Sequence, residues 1–133
     1  MARTLAELTA DEWRFLTDRH VGTLSTVRMD GRPHVTAIAF TVDPDDHVVR
    51  IITSDGTQKV RNVERNGRAA VAQVDGPNWF SLEGAAAVSR HPEDIARAVT
   101  AYEQRYRPVG ENPKRIVIEL TDVDVLGAVR KPG

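Results

Sequence analysis

The residues best placed to do chemistry stand where an apolar β-branched run, residues 47–53, gives way to a helix-like run, residues 59–65: Thr53, Ser54, Gly56, Thr57, Gln58 and Lys59. A strand that ends in hydroxyl residues and passes through glycine into a helix start gathers backbone N–H groups, hydroxyls and an ammonium at one point. Such a junction is a cradle for an anion, a phosphate above all. The helix macrodipole adds about 0.5 kcal/mol in the same direction, and Arg61 or Arg65 adds charge if the helix phase turns it toward the loop. Ser, Asp, Gly and Thr are also ordinary turn and N-cap residues, so the junction by itself leaves a purely structural reading open.

Other familiar chemistries lack their residues. The chain has no cysteine, which removes disulfides, thiolate nucleophiles and cysteine zinc sites. His20, His34, His47 and His91 fall on different elements, and none has a second ligand at metal-binding spacing, so no metal is expected. No Ser-centred nucleophile elbow, no Gly-x-Gly-x-x-Gly and no Walker loop is present. A net charge of −1 argues against nucleic acid or an anionic membrane surface as the main partner. The N-terminal residues lack a long apolar core, and no run approaches the roughly 18 apolar residues of a membrane span, so a cytoplasmic protein with no membrane partner is expected. What remains is a protein that holds an anionic cofactor and lets it carry the chemistry.

The elements that must position the cradle are mostly strands. With 133 residues, 41% of them hydrophobic, the chain suffices for one real core, and a single domain over residues 1–133 is expected. Thr9 and Glu12 form a capping box, with Leu8 and Trp13 as a hydrophobic staple, so a helix starts there and ends near Arg19. Residues 21–28 and 33–42 read as strands around the Asp30-Gly31 hairpin turn, and the turn at residues 43–46 leads to the strand before the cradle. Asn66-Gly67 stops the short helix; residues 69–75 and 79–89 are the next strands, the latter with small residues from Gly84 to Ala87 where another segment must approach closely. Pro92 opens a helix with Ile95, Val99, Tyr102 and Tyr106 on one face, and residues 115–121 and 123–129 supply closing strand material. About six antiparallel strands with peripheral helices indicate a mainly β fold, a small closed or split barrel.

Gly31-Arg-Pro-His-Val35, the strand ending at Thr53 with Lys59 and Asn62 beyond it, and Trp79-x-x-Leu82-x-Gly84-x-Ala86 resemble the split β-barrel flavin/deazaflavin oxidoreductase family, related to pyridoxamine 5′-phosphate oxidase. The likeness spans nearly the whole chain. Residues 52–59, 73–76 and 79–84 most resemble the actinobacterial branch that uses coenzyme F420, in particular its biliverdin reductases. The resemblance implies a homodimeric split barrel in which Val35, Thr36, Ala37 and Ile38 lie along the cofactor ring, while Thr53, Ser54, Gly56, Thr57, Gln58 and Lys59 hold its phosphate. Asn62 would either bond the phosphate or fix the helix start. Gln73 and Trp79 match positions near the ring in the dimer, Trp79 reaching over from the second subunit or serving as a plain core or interface anchor.

Two departures sharpen the expectation. Residues 126–133 carry no Arg-x-His of the kind that pyridoxamine phosphate oxidases use for substrate, so that activity is not expected. One lysine among neutral neighbours suits a phosphodiester better than a terminal phosphate monoester. The implied reaction is hydride transfer from reduced F420 to a conjugated small molecule, with biliverdin to bilirubin as the expected case and no side-chain nucleophile. Arg28, Lys59, Arg61, Arg107, Lys114 and Arg115 are candidates for the propionates. The alternatives are an FMN-dependent oxidase or reductase of the same fold, and a non-enzymatic module binding a flavin or haem-derived ligand.

Overall fold

Thr9 and Glu12 start the first helix as their spacing predicts: the Glu12 amide donates to Thr9 Oγ1 at 3.2 Å and the Thr9 amide to Glu12 Oε1 at 3.0 Å. The computed structural model describes residues 2–130, so the last three residues of the C-terminal run lie outside it. Helix α1 (Ala10–Thr17) stops two residues short of Arg19, where Asp18 turns to extended backbone. Ahead of it a short strand, β1 (Arg3–Thr4), leads into a 3-10 turn (Leu5–Glu7).

Arg3 grips the Glu12 carboxylate with two bonds of 2.8 and 2.7 Å and donates a third to the Gly127 carbonyl at 2.9 Å. Those Arg3 bonds, joined by the capping bonds from Thr9, hold the buried Glu12 carboxyl down at about 2. A carboxylate depressed on folding stabilises the native state above its unfolded value and loses that contribution as the pH falls through the folded one. Melting temperature is therefore expected to fall steadily from pH 4.5 toward 2, with about 2 kcal/mol lost through this group once the part-exposed Arg3 is allowed for. Glu12→Gln, scanned by calorimetry across the same range, should remove that part of the slope.

The remaining strands are β2 (Gly22–Val27), β3 (Pro33–Ile38), β4 (Thr41–Val42), β5 (Val49–Ser54), β6 (Arg68–Asp75), β7 (Asn78–Ser89) and β8 (Arg115–Ala128). Helix α2 (Gln58–Asn66) follows β5, and α3 (Pro92–Arg105) follows β7. All pairings are antiparallel in one sheet of order β3-β2-β6-β7-β8-β5-β4, with β1 added to β8. The two ends of the sheet, β3 and β4, are separated in the chain only by Ala39 and Phe40, so the sheet curls until its ends adjoin without pairing. The result is the split half-barrel expected from the sequence. Leu24, Val49, Ile51, Val71, Phe80, Leu82, Ile118 and Leu120 fill its inside.

Two strand readings need correction. Residues 33–42 are not one strand: the chain breaks at Ala39-Phe40 because the Phe40 ring turns into the core and its backbone is claimed by α3. The Tyr106 hydroxyl meets the Phe40 amide at 3.3 Å and its carbonyl at 2.9 Å, and Arg105 Nη1 donates to that carbonyl at 2.6 Å. Conversely, residues 115–128 are one strand rather than two, with a bulge at Asp122, whose φ is 51°. There Glu83 pairs with Asp124 and Ala85 with Thr121, which leaves Gly84 facing two residues.

Candidate active site

The split between β3 and β5 is where the cradle opens. A cavity of about 270 Å³ lies there, walled by Ala37, Ile38 and Ala39 on one side and Ile52 and Thr53 on the other. Lys59 enters from the first turn of α2, Tyr102 from α3, and Val109 from the segment between α3 and β8. Among the described residues β3 has a hydrogen-bonded neighbour only in β2, so its second edge turns backbone N–H and C=O groups toward the cleft.

Lys59 is the charge at this site. Burial holds its ammonium below the usual lysine value, and no carboxylate pairs with it among the described residues. A half-buried cation without a counter-ion is unfavourable by itself and favourable once an anion joins it. The α2 N-cap, Thr57, makes no side-chain cap bond; its hydroxyl instead donates to the Ser54 carbonyl at 3.2 Å. The first amides of α2 are thus left for something outside the helix. Gly56 turns the loop at φ 82°, a left-handed conformation that favours glycine, and no atom lies within 4 Å of where a Cβ would stand.

The other sequence-derived candidates divide into three groups. Thr53, Ser54, Gly56, Thr57 and Lys59 come together at the junction, with Ala37 and Ile38 across the cleft and Thr36 half-buried beside them on β3. Gln58 and Asn62 are tied into the fold. Gln58 Nε2 donates to Asn62 Oδ1 at 2.7 Å, and Asn62, fully buried, donates to Thr26 Oγ1 at 3.0 Å, so of its two readings the geometry favours fixing α2 on the barrel. Gln73 is sealed at 1% exposure, donating to the Phe15 carbonyl at 2.8 Å and accepting from Arg105 at 2.6 Å; within one chain it does not reach the cleft. Val35 and Trp79, 60% and 45% exposed, stand on the outer face of the sheet.

Of the two arginines on α2, Arg61 turns back to the loop, bonding the Gly56 carbonyl and Gln58 Oε1, whereas Arg65 turns away to the Val27 carbonyl at 2.6 Å. His34 sits opposite Thr26 on the inner side of β3 with a buried Nδ1 that has no partner. Burial first, then nearby Arg28 and Lys59, push its imidazole below the ordinary value.

Tyr102, Val109 and Ile52 line the cleft and were missed as site residues. Tyr102 falls in the apolar stripe of a helix, where nothing in spacing distinguishes a core aromatic from a wall of a cleft; here it packs on Tyr106 at 5.0 Å between ring centroids. A larger cavity, about 660 Å³, lies on the other side of α3. Its buried Arg50 is already neutralised by Asp43 at 2.9 Å and Glu119 at 3.1 Å, so it offers an anion nothing comparable to Lys59.

The comparisons agree with this geometry. The chain is 45% identical over 128 residues, 96% of its own length and 93% of the relative's, to a Mycobacterium tuberculosis (strain CDC 1551 / Oshkosh) protein called F420H(2)-dependent biliverdin reductase. Among solved structures, a conserved hypothetical protein of Mycobacterium tuberculosis superposes with a TM-score of 0.71 at 23% identity, covering 96% of this chain and 89% of that one. A structure described as an F420 reductase gives 0.69 at 25% identity, covering 85% and 94%. The family model for pyridoxamine 5′-phosphate oxidase matches residues 8–126, from the start of α1 almost to the end of β8, and with the same split barrel and a relative this similar along nearly its full length, the chain belongs to that family.

Proposed function

We propose that this protein is an F420-dependent oxidoreductase that reduces biliverdin to bilirubin. The observation that carries this reading is the 45% identity, over nearly the whole of both chains, to a protein named for that activity. The residues of the cleft fit the cofactor: a phosphodiester is the partner that the half-buried, unpaired Lys59 and the uncapped start of α2 lack.

When bound, the reduced deazaflavin supplies the hydride, and the acceptor takes up one hydride and one proton while the cofactor is oxidised. The chain supplies position and electrostatics. Lys59, with Thr53, Ser54 and the amides of Thr57 and Gln58, holds the phosphate; the Gly56 amide is taken by Asp55 Oδ1. The open edge of β3 at residues 35–38 offers backbone donors and acceptors to the polar rim of the ring, and Ile52, Tyr102 and Val109 keep water from its flank. Arg28, which has no carboxylate partner among the described residues, is the basic residue proposed to meet a propionate.

One split-barrel domain working as a homodimer in the cytoplasm completes the proposal; among the described residues no helix is long and apolar enough to cross a membrane. Val74, 68% exposed, stands beside Trp79 in the β6–β7 register, and Val35 lies on the same outer side of the sheet. Such an apolar face on a sheet is suited to a second copy. Trp79→Glu is expected to shift the protein from dimer to monomer in sedimentation velocity; an unchanged mass would remove Trp79 from the interface.

The function itself is tested by titrating the purified protein with oxidised F420 and with FMN in parallel, then adding biliverdin to the protein with reduced F420. Preferential F420 binding and loss of the biliverdin absorption band are expected. Preference for FMN would move the protein to the oxidase branch, and binding without turnover would make it a carrier.

A further inference from the structure

The anion cradle contains a carboxylate of its own. Asp55 lies between Ser54 and Gly56, in the loop that must accept a negatively charged group, and a bare carboxylate there would repel it. Asp55 is not among the residues that line the cleft. Arg90, on the short link between β7 and α3, takes both Asp55 oxygens, at 2.8 and 2.9 Å, and reaches Glu64 on α2 at 3.0 Å with its remaining nitrogen. Arg90 therefore pairs with both Asp55 and Glu64, offsetting one of their two negative charges, and ties the loop to its helix.

The same loop is held from the opposite side. The Asp55 amide donates to the Lys114 carbonyl at 2.8 Å, and Asn112 Nδ2 donates to Ser54 Oγ at 2.9 Å, which leaves the Ser54 hydroxyl hydrogen available to a ligand. Asp55 Oδ1, while held by Arg90, also accepts from the Gly56 amide at 2.9 Å, so the carboxylate stays at the edge of the cradle and its charge there is offset by the guanidinium.

We infer that Arg90 is a positioning residue for the anion site: by pairing with Asp55 it offsets the carboxylate's charge and keeps it from turning toward Lys59, where it would compete with the cofactor phosphate. The inference rests on the proposed phosphate site. It differs from a contribution to overall stability in what it predicts, because only ligands that carry the phosphate should notice the loss of Arg90, and removing the Asp55 charge should make Arg90 dispensable.

The test uses two probes, F420 and the deazaflavin riboside that lacks the phosphate and tail, against wild type, Arg90→Gln, Asp55→Asn and the double variant. Arg90→Gln is expected to weaken F420 binding about three- to tenfold, the size of one like charge brought close in a solvated site, while riboside binding holds. The F420 KM should rise with kcat unchanged, and the double variant should bind F420 nearly as wild type does. Equal losses for both probes, or an Arg90 effect that persists with Asn at position 55, would overturn the inference while leaving the phosphate site intact. Wild-type protein that binds both probes equally would overturn the phosphate site and the inference with it.

Discussion

Lys59→Ala should weaken F420 binding ten- to hundredfold and leave the fold intact. The magnitude is that of one charge-assisted hydrogen bond lost from a partly desolvated site, about 1.5–3 kcal/mol. No neighbouring side chain can substitute: Arg61 is spent on the Gly56 carbonyl and Gln58, and Arg65 on β2. Because burial lowers the Lys59 pKa, the folded protein without ligand disfavours the charged form. Its cost is present below the folded value and relieved as the pH rises through it toward the unfolded one, so Lys59→Met should melt no lower than wild type, and somewhat higher at neutral pH. A bound phosphate reverses the preference. Affinity for F420 should then decline in the alkaline range earlier than an ordinary lysine would dictate, and Lys59→Ala should lack that decline. Fluorescence titration at a series of pH values measures both effects. An unchanged dissociation constant in Lys59→Ala would take Lys59 out of the site.

Gly84→Ala should destabilise the protein by about 3 kcal/mol or more, among the largest effects available from a single methyl group. A Cβ there would stand 2.6 Å from the Thr121 carbonyl oxygen and 3.3 Å from Val123 Cγ2. Both belong to β8 at its bulge, and a carbonyl in a sheet ladder cannot swing aside as the end of a side chain can. Relief requires the β7–β8 pairing to open next to Leu82 and Val125, both in the core. Urea unfolding would show a lower midpoint at an unchanged slope. A loss under 1 kcal/mol would mean that the bulge adjusts cheaply.

These two positions were readable before any coordinates. Gly84 stands in a run of small residues inside an otherwise regular strand, and that pattern has few explanations besides a close neighbour. Lys59 follows a hydroxyl-rich turn between a strand and a helix start, an arrangement whose physics is local. Helix starts were legible for the same reason: Thr9 with Glu12, and Pro92 with acidic residues behind it, are bonded within a single turn. Legibility failed where distant segments decide. Residues 33–42 have the composition of one strand, and only Tyr106 and Arg105, arriving from α3, break them at Phe40. Residues 115–128 contain Asp122 and read as two strands, yet a bulge absorbs the irregularity because β7 continues to pair on both sides of it.

Gln58, Asn62 and Gln73 show the same limit within the site. An amide side chain near a phosphate motif has the chemistry of a ligand, and sequence cannot tell a ligand from a tie. In the folded chain Asn62 bonds Thr26, from a strand far back in the sequence, and Gln73 joins α1 to α3 through the Phe15 carbonyl and Arg105. Which polar groups remain for a ligand is settled by which ones the fold has consumed.

What the sequence determined alone was the set of local devices: the capping box, the Asp30-Gly31 turn, the glycine stop after α2, the hydroxyl-rich loop that brings Lys59 to the start of α2, and the family likeness. Each depends on residues within a few positions of one another, where backbone geometry leaves little choice. Tertiary structure decided where the barrel splits, which wall Tyr102 provides, and that Arg90 answers the charge of Asp55. Those depend on contacts between segments tens of residues apart, whose pairing is chosen by the packing of the whole sheet and leaves no periodic trace along the chain.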